Sequence, residues 1–262
     1  TESDSRISWR WLALLIGAAA LALWVGWIGF IASDDSLYYA GAQAWLTHPP
    51  AAGADHWSTR FPLILTFAGV IAVMGRGYAA FAVTAVLFYV LLVVLVGFFA
   101  RGVGGRRAGW IAALLTATLP VIVARASTVS VDLIEASALI AGAMLLAGAR
   151  DDHAGLWRGG GAGLCFGIAI LCRETSVLAL AAFVPMFAIG RPVPRRVLFA
   201  AGVGLALALG AETLFQYAMT GDPLRRYSIA FHHDEHIDRA ANMEGDPLRR
   251  YSIAFHHDEH ID

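Results

Sequence analysis

The chain has 262 residues, of which 58% are hydrophobic and 15% charged, with a formal net charge of −1. That balance is too apolar for a soluble domain of this size, and a near-neutral chain lacks the basic surface that nucleic acid demands. Long apolar runs separated by short Arg clusters, without short alternating segments, predict a helical bundle in lipid rather than a barrel.

The first apolar segment, about 7–32, is too long for a signal peptide and no small-residue cleavage site follows it, so it is expected to stay in the membrane. A polar stretch, 33–60, comes next. Residues 61–75 are apolar but cover only fifteen positions, which suits an interfacial or re-entrant helix better than a span. Further spans are predicted at about 77–100, 108–124, 130–149, 157–171, 175–190 and 197–218. The fold class is therefore an all-α polytopic membrane protein of about seven transmembrane helices, with interfacial helices in the first outer loop at 33–76. On this topology ten arginines (Arg6, Arg10, Arg101, Arg106, Arg107, Arg150, Arg158, Arg191, Arg195 and Arg196) share the cytoplasmic side. Four (Arg60, Arg76, Arg125 and Arg173) lie outside before residue 220, as the positive-inside rule requires. Cys165 and Cys172, seven apart in one apolar segment, are expected to be free thiols.

The transmembrane unit is read as 1–220, followed by an outer-face polar segment at 221–244. Residues 221–238 recur without change at 245–262. A perfect repeat of this kind reads as an artefact rather than a solenoid unit, and the natural chain is expected to continue beyond Glu244. His232-His233-Asp234-Glu235-His236 matches H-x-x-E-H, but with no second ligand segment it reads as a His-rich loop.

Charge at a membrane edge marks a candidate site. The outer face collects Asp34, Asp35, Asp55, His56, Arg60, Arg125, Asp132, Glu135, Arg173, Glu174 and Glu212. Asp34 and Asp35 adjoin a low-dielectric boundary, so at least one is expected to have a raised pKa, which suits a general base. Ser33 or Asp34 equally suits the N-cap of the helix that follows. His56 and Arg60 fit a phosphate, while Trp57 and Arg60 also fit an interfacial belt of anchoring and snorkelling side chains. Asp132 and Glu135 share a helix face, and Arg125 serves either as a partner of Asp132 or as a ligand group. Arg173-Glu174 marks the turn between two short apolar segments and is assigned to function.

The order of these pieces resembles the N-terminal half of GT-C glycosyltransferases of the dolichyl-phosphate-mannose–protein mannosyltransferase and lipid A aminoarabinose transferase type, over about residues 8–240. The resembling pieces are Asp34-Asp35 with Tyr38 and Tyr39 after the first span, then the HWSTRFP segment at 56–62. Arg125 through Asp132, Cys172-Arg173-Glu174-Thr175 and Gly221-Asp222-Pro223-Leu224 follow in the same order. Such enzymes usually carry an Asp-Glu pair where this chain has Asp34-Asp35, or Asp35-Ser36 in the other register, and they are commonly about twice this length.

The resemblance implies transfer of a sugar from a polyprenyl-phosphate donor to a lipid, glycan or protein acceptor, with inversion. An Asp of the first outer loop, Asp34 or Asp35, would be the base. His56, Arg60, Arg125, Asp132, Arg173 and Glu174 are the candidate substrate and phosphate contacts. No cofactor is required, although a divalent metal is compatible. The implied location is a bacterial inner membrane with the site on the periplasmic face. A transporter with a polar site between broken helices is the alternative, and it would place its charges nearer the midplane.

Overall fold

A computed structural model describes residues 9–149 and 155–230 of the chain. Among the described residues every regular element is a helix: α1 Trp9–Gly26, α2 Asp34–Thr47, α3 Phe61–Met74, α4 Tyr78–Thr118, α5 Pro120–Ala126, α6 Asp132–Ala147 and α7 Gly155–Cys172. A 3-10 helix Glu174–Ala182 then leads into α8 Phe183–Ile189, α9 Arg195–Thr220 and α10 Arg225–Ala230. Arg6, Arg150, the His-rich pentapeptide and the second copy of the repeat lie outside the described residues.

Among the described residues four helices are long and apolar enough to cross a membrane: α1, α4, α7 and α9. The protein is thus a multi-pass membrane protein, but length alone does not yield seven spans. One reason is that α4 is a single element bent into a hairpin. At Gly105 the backbone takes φ 80° and ψ −176°, and the two arms fold back antiparallel. Tyr89 on the first arm donates its hydroxyl to the Ala117 carbonyl on the second at 2.7 Å. Nearer the tip, a Cβ on Gly109 would lie 2.8 Å from the Gly97 carbonyl oxygen, so only glycine permits the approach. The other reason is that α6 and the Glu174–Ile189 stretch are short.

The first apolar run also ends early. Helix α1 stops at Gly26, and residues 27–33 form a loop that enters the core instead of extending the span. Phe30 is fully buried and meets Phe81 edge-on at 5.5 Å. The Ile28 amide donates to the Ser127 hydroxyl at 3.1 Å, and the Trp27 indole donates to the Tyr78 hydroxyl. The end of α1, the start of α4 and the end of α5 therefore lie at one level. Because α3 begins next to Arg60 and its chain reaches Tyr78 at that same level, it runs along one end of the bundle, as an interfacial helix does.

Helix α7 packs on α9 through Gly155, Gly159, Gly163 and Gly167, one per turn on a single face. A Cβ on Gly159 would lie 2.5 Å from the Val197 carbonyl oxygen, and one on Gly163 would strike the Ala201 carbonyl. In lipid, helices gain little from excluding water, so contact this close is what holds the pair.

Candidate functional site

The level reached by the end of α1 also receives the start of α2, the loop before α3, the junction of α5 and α6, the end of α7 and the segment after α9. Each sequence-predicted site residue lies on one of these pieces. The opposite end holds Arg101, Arg106 and Arg107 at the α4 tip, and Arg195, which donates to the carbonyls of Phe187 and Ala188 at 2.8 and 2.7 Å.

The two adjacent aspartates have opposite environments. Asp34 is exposed, whereas Asp35 is 3% exposed. The Asp35 carboxylate accepts the amides of Ile31, Ser33 and Ser36 at 2.9, 2.8 and 3.0 Å. It therefore fastens the loop after α1 to the first turn of α2. This corrects the capping expectation: neither Ser33 nor Asp34 caps α2 through its side chain, because Asp35, turned inward, already occupies those amides.

Burial raises the Asp35 carboxyl from an ordinary 3.8 to about 6, although its backbone hydrogen bonds oppose the rise. The folded protein thus holds this proton more tightly than the unfolded chain does. The stability it contributes is complete below about pH 3.8 and is lost as pH rises through about 6. Thermal unfolding in detergent at pH values from 4 to 7 should show this slope in the wild type and a flatter one in Asp35→Asn. Parallel profiles would remove Asp35 as the cause.

Behind Asp34 stands Tyr38, 1% exposed. Its hydroxyl accepts a hydrogen bond from Arg60 Nη1 at 2.7 Å. Burial pushes this phenol up, Arg60 opposes the rise, and Asp34 and Asp132 add to it. Tyr38 therefore stays protonated at neutral pH, and both carboxylates lie within electrostatic reach of its oxygen. Arg60 Nε is buried without a hydrogen-bond partner among the described residues. His56 stacks on Trp57 with ring centroids 3.7 Å apart. Trp57 itself is 6% exposed, so it is a core residue and not a membrane-interface anchor.

The facing wall is a charge cluster. Asp132, at the start of α6, pairs with Arg125 Nε at 3.1 Å and with Arg173 Nη1 at 3.0 Å. Arg173 also reaches Glu135 at 3.8 Å, and the Ser176 hydroxyl donates to Glu135. The expected pairing of Arg125 with Asp132 is made, and the Arg125 side chain stays half exposed. Ion pairs this exposed are worth about 0–1 kcal/mol, so they leave Arg125 and Arg173 free to take a stronger anion.

Glu174 turns away from this wall. It accepts from Arg226 Nε at 2.8 Å. Burial, the largest single influence, raises the Glu174 carboxyl, but the Arg226 guanidinium, a backbone hydrogen bond and Arg60 together outweigh it and hold the group below its ordinary value. Arg226 was not among the expected residues, and no sequence signal marks it, because its acceptors come from distant parts of the chain. Ser176 was missed too, although it stands three residues after Arg173. Among the described residues no three His, Cys, Asp or Glu side chains converge as a metal site.

An apolar cavity of about 370 Å³ opens beneath the charge cluster. On α6 its lining residues Leu139, Ala143 and Leu146 continue the helix face of Glu135. Ala179, Phe183 and Met186 face them, following Ser176 along the 3-10 helix and α8. Pro192 and Val193 close the cavity at the opposite end of the bundle, so it lies along the far half of α6, away from the charged end.

A family model described as dolichyl-phosphate-mannose-protein mannosyltransferase matches residues 60–215. The match takes in Arg60, Arg125, Asp132, Arg173 and Glu174, and begins after Asp34, Asp35 and His56. No curated protein and no solved structure matches the chain. With the matched family model covering more than half of its length, the chain belongs to the dolichyl-phosphate-mannose–protein mannosyltransferase family of membrane glycosyltransferases.

Proposed function

We propose that the protein transfers a sugar from a polyprenyl-phosphate donor to an acceptor at the end of the bundle where Asp34, Arg60, Arg125 and Arg173 meet. The observation that carries this reading is the charge gathered at one end of the bundle, where exposed Asp34 lies within electrostatic reach of the Tyr38 hydroxyl that Arg60 holds, and Arg125 and Arg173 share Asp132, with an apolar cavity farther along α6. A lipid phosphate has the same division into an anionic head and an apolar tail.

In the proposed reaction Asp34 takes the acceptor's proton as its oxygen attacks the anomeric carbon. The bond from that carbon to the phosphate oxygen breaks, and polyprenyl phosphate leaves with one more negative charge than it carried as the diester. A single displacement inverts the sugar. Arg60, Arg125 and Arg173 offset the developing phosphate charge in a partly dehydrated setting, and the scheme requires no metal. Asp34 suits the base better than Asp35, whose oxygens are engaged by backbone amides. His56 is assigned to the rim of the same site. A transporter is less well supported, because the charges gather at helix ends and not midway along them.

Seven passes are the reading we favour, three more than the four helices that, among the described residues, are long and apolar enough by themselves. The two arms of α4, the second continued by α5, supply two crossings, and α1, α7 and α9 supply three. Glu174–Ile189 would extend roughly 24 Å as an α-helix. Its nine 3-10 residues at about 2.0 Å each lengthen it to roughly 28 Å, close to a hydrocarbon core. The seventh is α6. The Arg asymmetry supports an α4 tip in the cytoplasm and a site on the periplasmic face of a bacterial inner membrane.

Single cysteines at Ala54 and Val103, both exposed, test the sidedness in a background lacking Cys165 and Cys172. An impermeant thiol reagent added to intact cells should label Ala54→Cys and spare Val103→Cys. The reverse pattern, or equal labelling, contradicts the orientation.

A further inference from the structure

Arg226 bonds Glu174, one of the candidate substrate contacts, but makes no hydrogen bond to Asp34, Arg60, Arg125 or Arg173 among the described residues, and it is 3% exposed and fully engaged. Its Nε donates to Glu174 at 2.8 Å, Nη1 donates to the Thr59 carbonyl at 3.1 Å, and Nη2 donates to the Leu171 carbonyl. Nη1 also lies 3.6 Å from a Glu212 carboxylate oxygen. A guanidinium is the side chain that suits this position, because its donors are fixed in a planar fork, whereas an ammonium is a point charge on a flexible stem.

The chain positions of these acceptors matter. The Thr59 carbonyl belongs to the peptide bond leading into Arg60, and Glu174 follows Arg173. One buried side chain therefore grips the backbone directly beside two of the candidate phosphate-binding arginines, which stand on opposite walls. The segment carrying Arg226 is also held independently. Arg225 donates to the Gly53 carbonyl at 3.2 Å, and Gln216 donates to the Ala52 carbonyl at 3.1 Å. Loss of the Arg226 fork therefore releases the two walls without releasing the segment.

We propose that Arg226 is a positioning residue that fixes Arg60 and Arg173 at the separation a lipid phosphate requires. This rests on the phosphate-binding reading above. Displacement of binding groups by about 1 Å is enough to weaken a site by orders of magnitude, and a lysine cannot reproduce the fork.

The test titrates the purified full chain in nanodiscs with undecaprenyl phosphate and, separately, with the uncharged polyprenol, following tryptophan fluorescence. Arg226→Gln, Arg226→Lys and Glu174→Gln are compared with the wild type. Each variant is expected to weaken undecaprenyl phosphate binding by about tenfold or more and to leave polyprenol binding unchanged. Three outcomes overturn the proposal: unchanged phosphate affinity in the variants, full restoration by Lys, or equal loss of both ligands. Should Arg226→Gln fail to fold, Glu174→Gln removes the charge that Arg226 pairs with, from the other side, and decides the matter. A wild type that does not prefer the phosphate over the polyprenol sinks the glycosyltransferase reading itself, whereas a preference retained in all variants sinks only the role of Arg226.

Discussion

Replacing Asp34 by Asn is expected to lower sugar transfer by roughly 10²–10⁴-fold while leaving folding and donor binding intact. An acceptor hydroxyl is a poor nucleophile until a base takes its proton, and an amide cannot take it. Among the described residues the exposed Asp34 side chain makes no hydrogen bond that holds the loop, so the change removes chemistry and little else. Asp35→Asn should behave in the opposite way. Its carboxylate ties three backbone amides together, so its loss acts first on stability and on the position of α2. The pair is separated by measuring initial transfer rates beside melting temperatures. If Asp34→Asn transfers at the wild-type rate and Asp35→Asn is stable but inactive, the base has been assigned to the wrong neighbour.

The second large effect is structural. Gly163→Leu is expected to abolish the folded protein, because the new side chain meets the backbone carbonyl of Ala201 and backbone cannot move aside cheaply. Overpacking a well-packed interior costs about 1–3 kcal/mol even where side chains can adjust. Here the Gly159 and Gly204 contacts would separate with it, and α7 and α9 are the most closely packed pair of helices in the structure. Gly202 is the control. A Cβ there meets nothing within 4 Å, so Gly202→Leu should leave the protein unaffected. Size-exclusion profiles in mild detergent report both. A monodisperse Gly163→Leu protein with unaltered melting would show that the glycine face is not what joins these helices.

Why some of this could be read from the sequence, and some not, follows from how each signal is encoded. Membrane crossing is a matter of composition over a window, so the apolar runs and the Arg-bearing tip of α4 stand out. The shortness of α3 was legible for the same reason, since its apolar run covers too few residues to count as a span. Asp34 and Asp35 are identical in type, and successive residues on a helix point about 100° apart. Only their neighbours tell which faces solvent and which turns inward. The glycines of α7 count as ordinary small residues in a hydrophobic run until the partner helix is known. Trp57 and Arg60 fit a membrane-interface belt by type, but the fold buries the first and aims the second at Tyr38. Arg226 was beyond reach, because its partners at Thr59 and Glu174 are separated from it by 167 and 52 positions. The match to residues 60–215 agrees with the family resemblance read from the sequence. It stops short of the aspartates, whose roles rest on geometry.

The most direct measurement of the central claim follows the donor itself. The purified protein is mixed with a polyprenyl-phosphate-linked sugar in nanodiscs together with candidate lipid, glycan and peptide acceptors. Free polyprenyl phosphate and transferred sugar are quantified together, and the anomeric configuration of the product is read by NMR. The account predicts that polyprenyl phosphate appears mole for mole with transferred sugar, that the configuration is inverted, and that Asp34→Asn suppresses both signals. An intact donor in the presence of protein that binds it, or a product of retained configuration, would contradict it.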